Sequence, residues 1–313
     1  MRPELKETTK KEKDKYLVRD IKRHWQLYLL LIPPLVYIII FSYVPMYGLQ
    51  MAFKDYMIRL GFWRSPWAGL KYFREFMGSY YFPRLMGNTI GISFYGMTAG
   101  FFPPLIMAIA LNECRLRFFK KSVQLITYAP HFISTVVITS ILIQVLSNNG
   151  VVNSFIAALG GNRVSFLGQP ALFKSIYVWS GIWQNTGYSS IIYLAALASI
   201  NPEMQEAAYI DGANIWQRIW HIDIPEIMPT AMILLILSAS GIISVGFEKV
   251  YLLQNPLNMS SSDVISTYTY RVGLTQMNYS LATAVGLFQS VVSFIFLIIV
   301  NQISKKVTST SLW

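Results

Sequence analysis

Long apolar stretches alternate with shorter polar ones along the whole chain. Six of them, about 25–47, 86–111, 122–147, 175–199, 225–247 and 281–303, run for more than twenty residues with almost no charge. A helix needs about 20 apolar residues to cross a bilayer. The pattern therefore predicts an all-α transmembrane protein with six spans in residues 25–303. The first span reads WQLYLLLIPPLVYIIIFSYVP and is free of charge from Leu27 to Tyr47. Pro103 and Pro104 fall inside the second and Pro130 inside the third, which spanning helices tolerate because neighbouring helices satisfy the freed carbonyls. Lys305 and Lys306 close the sixth.

The polar segments set the orientation. Nine basic residues lie before Trp25, and the short segment ECRLRFFKK after the second span adds Arg115, Arg117, Lys120 and Lys121. Lysine and arginine concentrate in cytoplasmic loops, so the expectation is a basic cytoplasmic segment 1–24, a cytoplasmic tail 304–313 and both termini inside. The three outer loops, about 48–85, 148–174 and 248–280, are long and rich in Gly, Asn, Pro and aromatic residues. PWAGLKYFREFMGSYYFPRL in the first predicts a short amphipathic helix at the outer interface.

Composition agrees with a lipid environment. Hydrophobic residues make up 54% and charged residues only 13%, against about 25% charged in soluble domains. The net charge is +11, but nine of the 26 basic residues lie before Trp25 and the apolar runs carry almost none, which speaks for an anionic membrane face and against nucleic acid. With Cys114 alone there is no intrachain disulfide and no cysteine-rich metal site. His24, His131 and His221 are scattered and read as boundary or surface polar residues. The first apolar run is longer than a signal-peptide core and no small-residue cleavage site follows it.

One polar segment stands apart. Between the fourth and fifth spans lies NPEMQEAAYIDGANIWQRIWHIDIPEIMP, with Arg218 as its one basic residue among five acidic ones, Glu203, Glu206, Asp211, Asp223 and Glu226. That runs against the basic trend of inner loops. Asn201 fits a helix N-cap, Pro202 the first helical position, and Asp211-Gly212 a helix end. A second helix follows, with Ile215, Ile219 and Ile222 on one stripe, Trp216 and Trp220 beside it, and Pro225 as its break. Such a pair, offering apolar residues to the cytoplasm, invites a partner with an apolar, basic cleft.

The spacing Glu206-Ala207-Ala208, Gly212, then Ile222-Asp223-Ile224-Pro225 resembles the signature loop of permeases in binding-protein-dependent ABC importers. Ile224 stands where leucine is usual, a swap of equal volume. Asp211-Gly212-Ala213 and Pro229 look like the sugar-transporting members. Tyr43-Val44-Pro45 and Phe53-Lys54-Asp55-Tyr56 look like the branch that takes up oligo- and polysaccharides. The resemblance implies a type I importer-like permease whose coupling loop, 201–225, docks in a cytoplasmic ATPase, with Glu206 pairing an arginine there. It further implies a second homologous permease, an ATPase dimer that binds ATP and Mg, and an extracytoplasmic solute-binding protein. No cofactor is expected on this chain. The rival reading of the loop is a re-entrant or interfacial helix pair without a partner.

Chemistry of its own is not expected here. No G-x-x-x-x-G-K-[ST] occurs, so nothing cradles nucleotide phosphates, and no nucleophile with base and orienter assembles. The near absence of charge within the spans argues against a proton- or sodium-driven carrier. Trp179, Trp183, Gln184, Asn185 and Tyr188 make the fourth span polar and aromatic, as a saccharide passage requires. Asn88, Tyr95, Ser240, Ser244 and Gln289 are weaker candidates. The alternative for all of these is interhelical hydrogen bonding and an interfacial aromatic belt. Gly96-x-x-x-Gly100 fits a helix-packing face. A charged cargo would need an opposite charge in the passage, and the predicted spans supply none.

Overall fold

The computed structural model describes residues 23–308 apart from 242 and 244. The arm before Arg23, Ser244, the side chain of Ser240 and the tail beyond Thr308 lie outside the described residues. All the described elements are helical, apart from one isolated antiparallel bridge between Lys54 and Trp67.

Four helices are long and apolar enough to cross a membrane: α1 (Trp25–Phe53), α3 (Phe82–Glu113), α9 (Ile215–Ala239) and α13 (Tyr279–Thr308). Their ends follow local chemistry. Pro83 sits in the first turn of α3, where a missing N–H costs nothing. α1 carries Pro33 and Pro34 and continues through a π turn over Ile39–Tyr43, a widened register that accommodates disrupted hydrogen bonding. No residue of α1 between Trp25 and Ile38 is buried by the rest of the chain.

The segment read as a single third span, 122–147, is not one helix. α4 (Arg117–Phe132) and α5 (Thr135–Val145) meet at 102°. Pro130 lies in a 3-10 turn and Ser134 caps the new helix by accepting from the Val137 N–H. Proline and the following cap thus turn the chain where the hydropathy profile shows a continuous apolar run.

α7 (Pro170–Ala198) is long enough to span, but its polar side chains keep it out of the strongly apolar class. It packs along α3. At Gly187 the fit is so close that a β-carbon would overlap the Thr127 carbonyl oxygen of α4, so a bare backbone is required. α9, which covers the expected fifth span, also differs from the expected 225–247. It starts ten residues earlier, and Pro225 does not break it. A π turn over Ile219–Asp223 carries the helix past the proline, with the Ile224 N–H donating to the Ile219 carbonyl.

Three buried clusters hold these elements. Ala52, Phe76, Leu85, Tyr268 and Val285 join the end of α1, α2 (Lys71–Met77), α3, α12 (Ile265–Tyr270) and α13. Asp263, fully buried, pairs with Arg271 at 2.9 Å and reaches Arg84 at 3.5 Å, tying α12 to α3. Ile92, Phe173, Val250 and Leu253 seat α10 (Phe247–Leu253) against α3 and α7. Two short helices, α6 (Val151–Ala158) and α11 (Met259–Ser262), lie in the connections from α5 to α7 and from α10 to α12. At the other end Leu105, Ala108, Tyr193, Leu197, Ile227 and Ala231 lock α3, α7 and α9 together. The segment expected to hold a short amphipathic helix contains α2, which turns Tyr72 and Phe76 inward.

Candidate functional site

Two sites emerge, and the first is the acidic segment. α8 (Pro202–Ile210) starts at Asn201, whose Oδ1 accepts from the Glu203 N–H at 3.0 Å. It ends at Asp211 and Gly212, where φ is +80°. The Ala213 N–H donates to the Ala208 carbonyl at 2.9 Å and the Gly212 N–H to the Tyr209 carbonyl at 3.1 Å. This pair of bonds is the Schellman stop that glycine permits. α9 begins at once, with Asn214 and Gln217 exchanging side-chain and backbone bonds at 2.8 and 2.9 Å in a capping box. Both caps follow from residue type, and Asn214-x-x-Gln217 spells the second.

The turn is fastened to the rest of the chain from beneath. Gln205 Nε2 donates to the fully buried Asp223 at 2.7 Å, and Arg218 faces Glu113 at the end of α3 at 3.5 Å. Ile219 is buried and Ile222 half-buried, so the isoleucine stripe mostly turns inward rather than toward a partner. The surface offered to solvent is instead Tyr209, Ile210, Trp216 and Trp220, each more than 60% exposed, with Ile215 at their edge. Glu206 and Ala207 are exposed, and Glu206 has no ion-pair partner among the described residues. Ala208, Asp211, Gly212, Ala213 and Ile222 line a surface hollow of about 370 Å³. Ile224 and Pro225 stand in the first turn beyond the π segment.

The second site is a cleft between α3 and α7. Gly96, Gly100 and Gly181 leave room for a cavity of about 320 Å³, lined further by Tyr177, Gln184, Asn185, Ser189 and Lys249. A second hollow of about 330 Å³ continues it past Tyr188 toward Ser238. Of the fourth-span candidates, Gln184 and Asn185 line the first cavity and Tyr188 the second, whereas Trp179 and Trp183 line neither. Trp179 donates its indole N–H to the Tyr95 hydroxyl at 2.8 Å.

These polar groups also hold the bend between α4 and α5. Gln184 Nε2 donates to the Ile133 carbonyl at 3.3 Å, and Asn185 accepts from His131 Nδ1 at 2.9 Å. The His131 ring stacks on Tyr188 at 3.9 Å between centroids and 3° between planes. His131, read as a boundary or surface polar residue, is half-buried and braces two residues that line these cavities. Asn88 donates to the Ser260 and Asp263 carbonyls and Gln289 to the Ile243 carbonyl. Both are engaged in interhelical bonds.

Lys249 is the residue that reading by spans missed. It lies two residues beyond the expected fifth span, yet α10 folds back and buries it, 8% exposed. A helical reading of VGFEKVYLL gives the signal, since Lys249 shares a stripe with the buried Val245 and Leu253. Burial draws its ammonium down to about 8.

Comparison with known proteins converges on one family. Residues 104–309 match the family described as the inner membrane component of binding-protein-dependent transport systems. The chain is 44% identical to protein LplB of Bacillus subtilis (strain 168) over 287 residues, covering 91% of this chain and 90% of that one. It is 40% identical to the polygalacturonan/rhamnogalacturonan transport system permease protein YteP of the same organism, over 95% and 93% of the two chains. A chain of a solved bacterial ABC transporter involved in the import of the acidic polysaccharide alginate superposes with a TM-score of 0.86. Its identity is 42%, with 94% of this chain and 99% of that chain covered. The protein is a multi-pass membrane transport subunit rather than an enzyme, and it belongs to the inner-membrane components of binding-protein-dependent transport systems.

Proposed function

We propose that the chain forms half of the translocation path of an ATP-driven importer for an oligosaccharide. A second, homologous permease supplies the other half. A cytoplasmic ABC ATPase dimer, which binds the ATP and Mg, drives the cycle, and an extracytoplasmic binding protein delivers the cargo. In this reading residues 25–303 cross the membrane six times. The bent α4–α5 pair makes the third crossing and the polar α7 the fourth, and both termini lie in the cytoplasm. Relatives that transport polygalacturonan/rhamnogalacturonan and alginate support a saccharide cargo.

One observation carries the reading of the drive. Four large apolar side chains, Tyr209, Ile210, Trp216 and Trp220, stand exposed on a turn fixed by two caps. That turn continues without interruption into α9. An apolar patch held this rigidly fits a docking partner, and a continuous helix carries displacement of the docked end into the membrane. α8, the turn and the start of α9 then act as the coupling helix, with Glu206 pairing a partner cation. ATP-driven closure of the ATPase would move the two permeases' coupling segments together and open the cleft outward; release would reset it inward.

Reconstitution of the permease pair with the ATPase and binding protein tests this. ATPase stimulation should require a binding protein loaded with a glycan from a saccharide panel. Glu206→Ala and Gly212→Pro should abolish uptake while the protein still inserts; wild-type uptake in both variants would refute the coupling role.

A further inference from the structure

A lysine buried without a carboxylate is an expensive arrangement, because desolvation of an ammonium is offset only by paired charge or strong hydrogen bonds. Lys249 has neither a carboxylate within 4.0 Å among the described residues nor more than modest local support. Its Nζ donates to the Tyr177 carbonyl at 3.3 Å and lies 5.2 Å from the Tyr177 ring centre. It also stands beside Gly181, where a β-carbon would lie 3.5 Å away. The glycine keeps the ammonium open to the 320 Å³ cavity, whose wall adds the amides of Gln184 and Asn185.

Lys174 lies two turns toward the start of α7, about 10 Å along the helix axis from Gly181. It shares the stripe of α7 that carries Tyr177, Gly181 and Gln184, and its Nζ comes within 3.1 Å of a β-carbon position at Gly91 of α3. It too has no carboxylate partner among the described residues. One cation, two amides and a tyrosine on α7, with the Lys249 ammonium of α10 beside Gly181, match a carboxylated, polyhydroxylated chain. The ammonium groups meet carboxylates, amides meet hydroxyls, and the aromatic face meets the apolar face of a pyranose ring.

We infer that Lys249, assisted by Lys174, is an anion-reading site in the passage, and that the cargo is an oligosaccharide bearing uronate carboxylates. The inference rests on the saccharide reading and narrows it. The cation absent from the spans as read from sequence is supplied by a helix that folds back between them.

The test uses the full transporter in proteoliposomes with its binding protein. The probes are galacturonate, mannuronate and guluronate tetrasaccharides, with galactose and mannose tetrasaccharides as neutral counterparts. Wild type should take up at least one oligouronide. Lys249→Gln should cut the ratio of uronide to neutral uptake by about tenfold or more, and Lys249→Arg should restore it. Lys174→Gln, at a half-buried position, should lower oligouronide uptake by about threefold; it serves as the second variant if Lys249→Gln fails to assemble. Equal loss of uronide and neutral uptake in Lys249→Gln would make the lysine structural and overturn the inference, as would unchanged uptake in either glutamine variant. Wild type that carries neutral tetrasaccharides alone would overturn the inference and leave the saccharide reading standing. Uptake of none of the probes would overturn both.

Discussion

Gly212 offers a test in which conformation can be separated from contact. Its φ of +80° lies in the left-handed region, and a β-carbon there would meet nothing within 4 Å in this chain. Substitution therefore introduces no internal clash. The cost is conformational, about 1–2 kcal/mol for an ordinary L residue, higher for a β-branched one and small for asparagine, which tolerates this conformation. A cost of about 1–2 kcal/mol shifts a local equilibrium by roughly 5–30-fold. It falls on the two bonds of the stop, Ala213 to Ala208 and Gly212 to Tyr209. Losing them would release α8 from α9 and let the exposed Tyr209–Ile210 and Trp216–Trp220 surfaces drift apart. ATP-driven uptake, normalised to inserted protein, should fall in the order Gly212→Asn, Gly212→Ala, Gly212→Val, with asparagine near wild type. If asparagine were as harmful as valine, the position would matter through contact rather than backbone conformation. Wild-type uptake with valine would refute the argument outright.

Other outcomes follow from the same geometry. Gln205→Leu removes the one hydrogen bond that the buried Asp223 carboxyl accepts among the described residues and should lower stability by about 1–3 kcal/mol, read as a fall in the unfolding midpoint in detergent; Asp223→Asn should be milder. Gly187→Val drives side-chain atoms into the Thr127 carbonyl and should cost about 1–3 kcal/mol or displace α4, measured in the same way. Gln184→Ala and Tyr188→Ala remove the bond to Ile133 and the stack on His131; uptake kinetics should change in both, and unchanged kinetics would remove these residues from the path.

The sequence announced some of this directly and concealed the rest for identifiable reasons. Asn201, Pro202 and the Asp211-Gly212 stop are local signals, because caps depend on a few neighbouring residues, and each is found where its chemistry directs. The apolar runs gave α1, α3 and α13 nearly whole. Hydropathy cannot see direction, however. The bend at Pro130 and Ser134 leaves the apolar run intact while turning the chain by 102°. Pro225 looked like a break because the proline rule assumes a regular α register, and the π turn over Ile219–Asp223 supplies a different one. Ile219 turns inward because α9 is already packed against its neighbours at that level. Lys249 was hidden by a boundary. It sits just past an apolar run; its stripe with Val245 and Leu253 signals burial, but the tertiary fold alone shows that α10 returns to the cleft.

The most direct measurement is ATP-driven uptake of labelled saccharide by the reconstituted transporter, comparing wild type with Glu206→Ala at equal insertion. Uptake that requires ATP, the loaded binding protein and Glu206 is the expected result. Saccharide uptake that persists without ATP, or that proceeds at the wild-type rate in Glu206→Ala, would contradict a passage driven through α8 and α9.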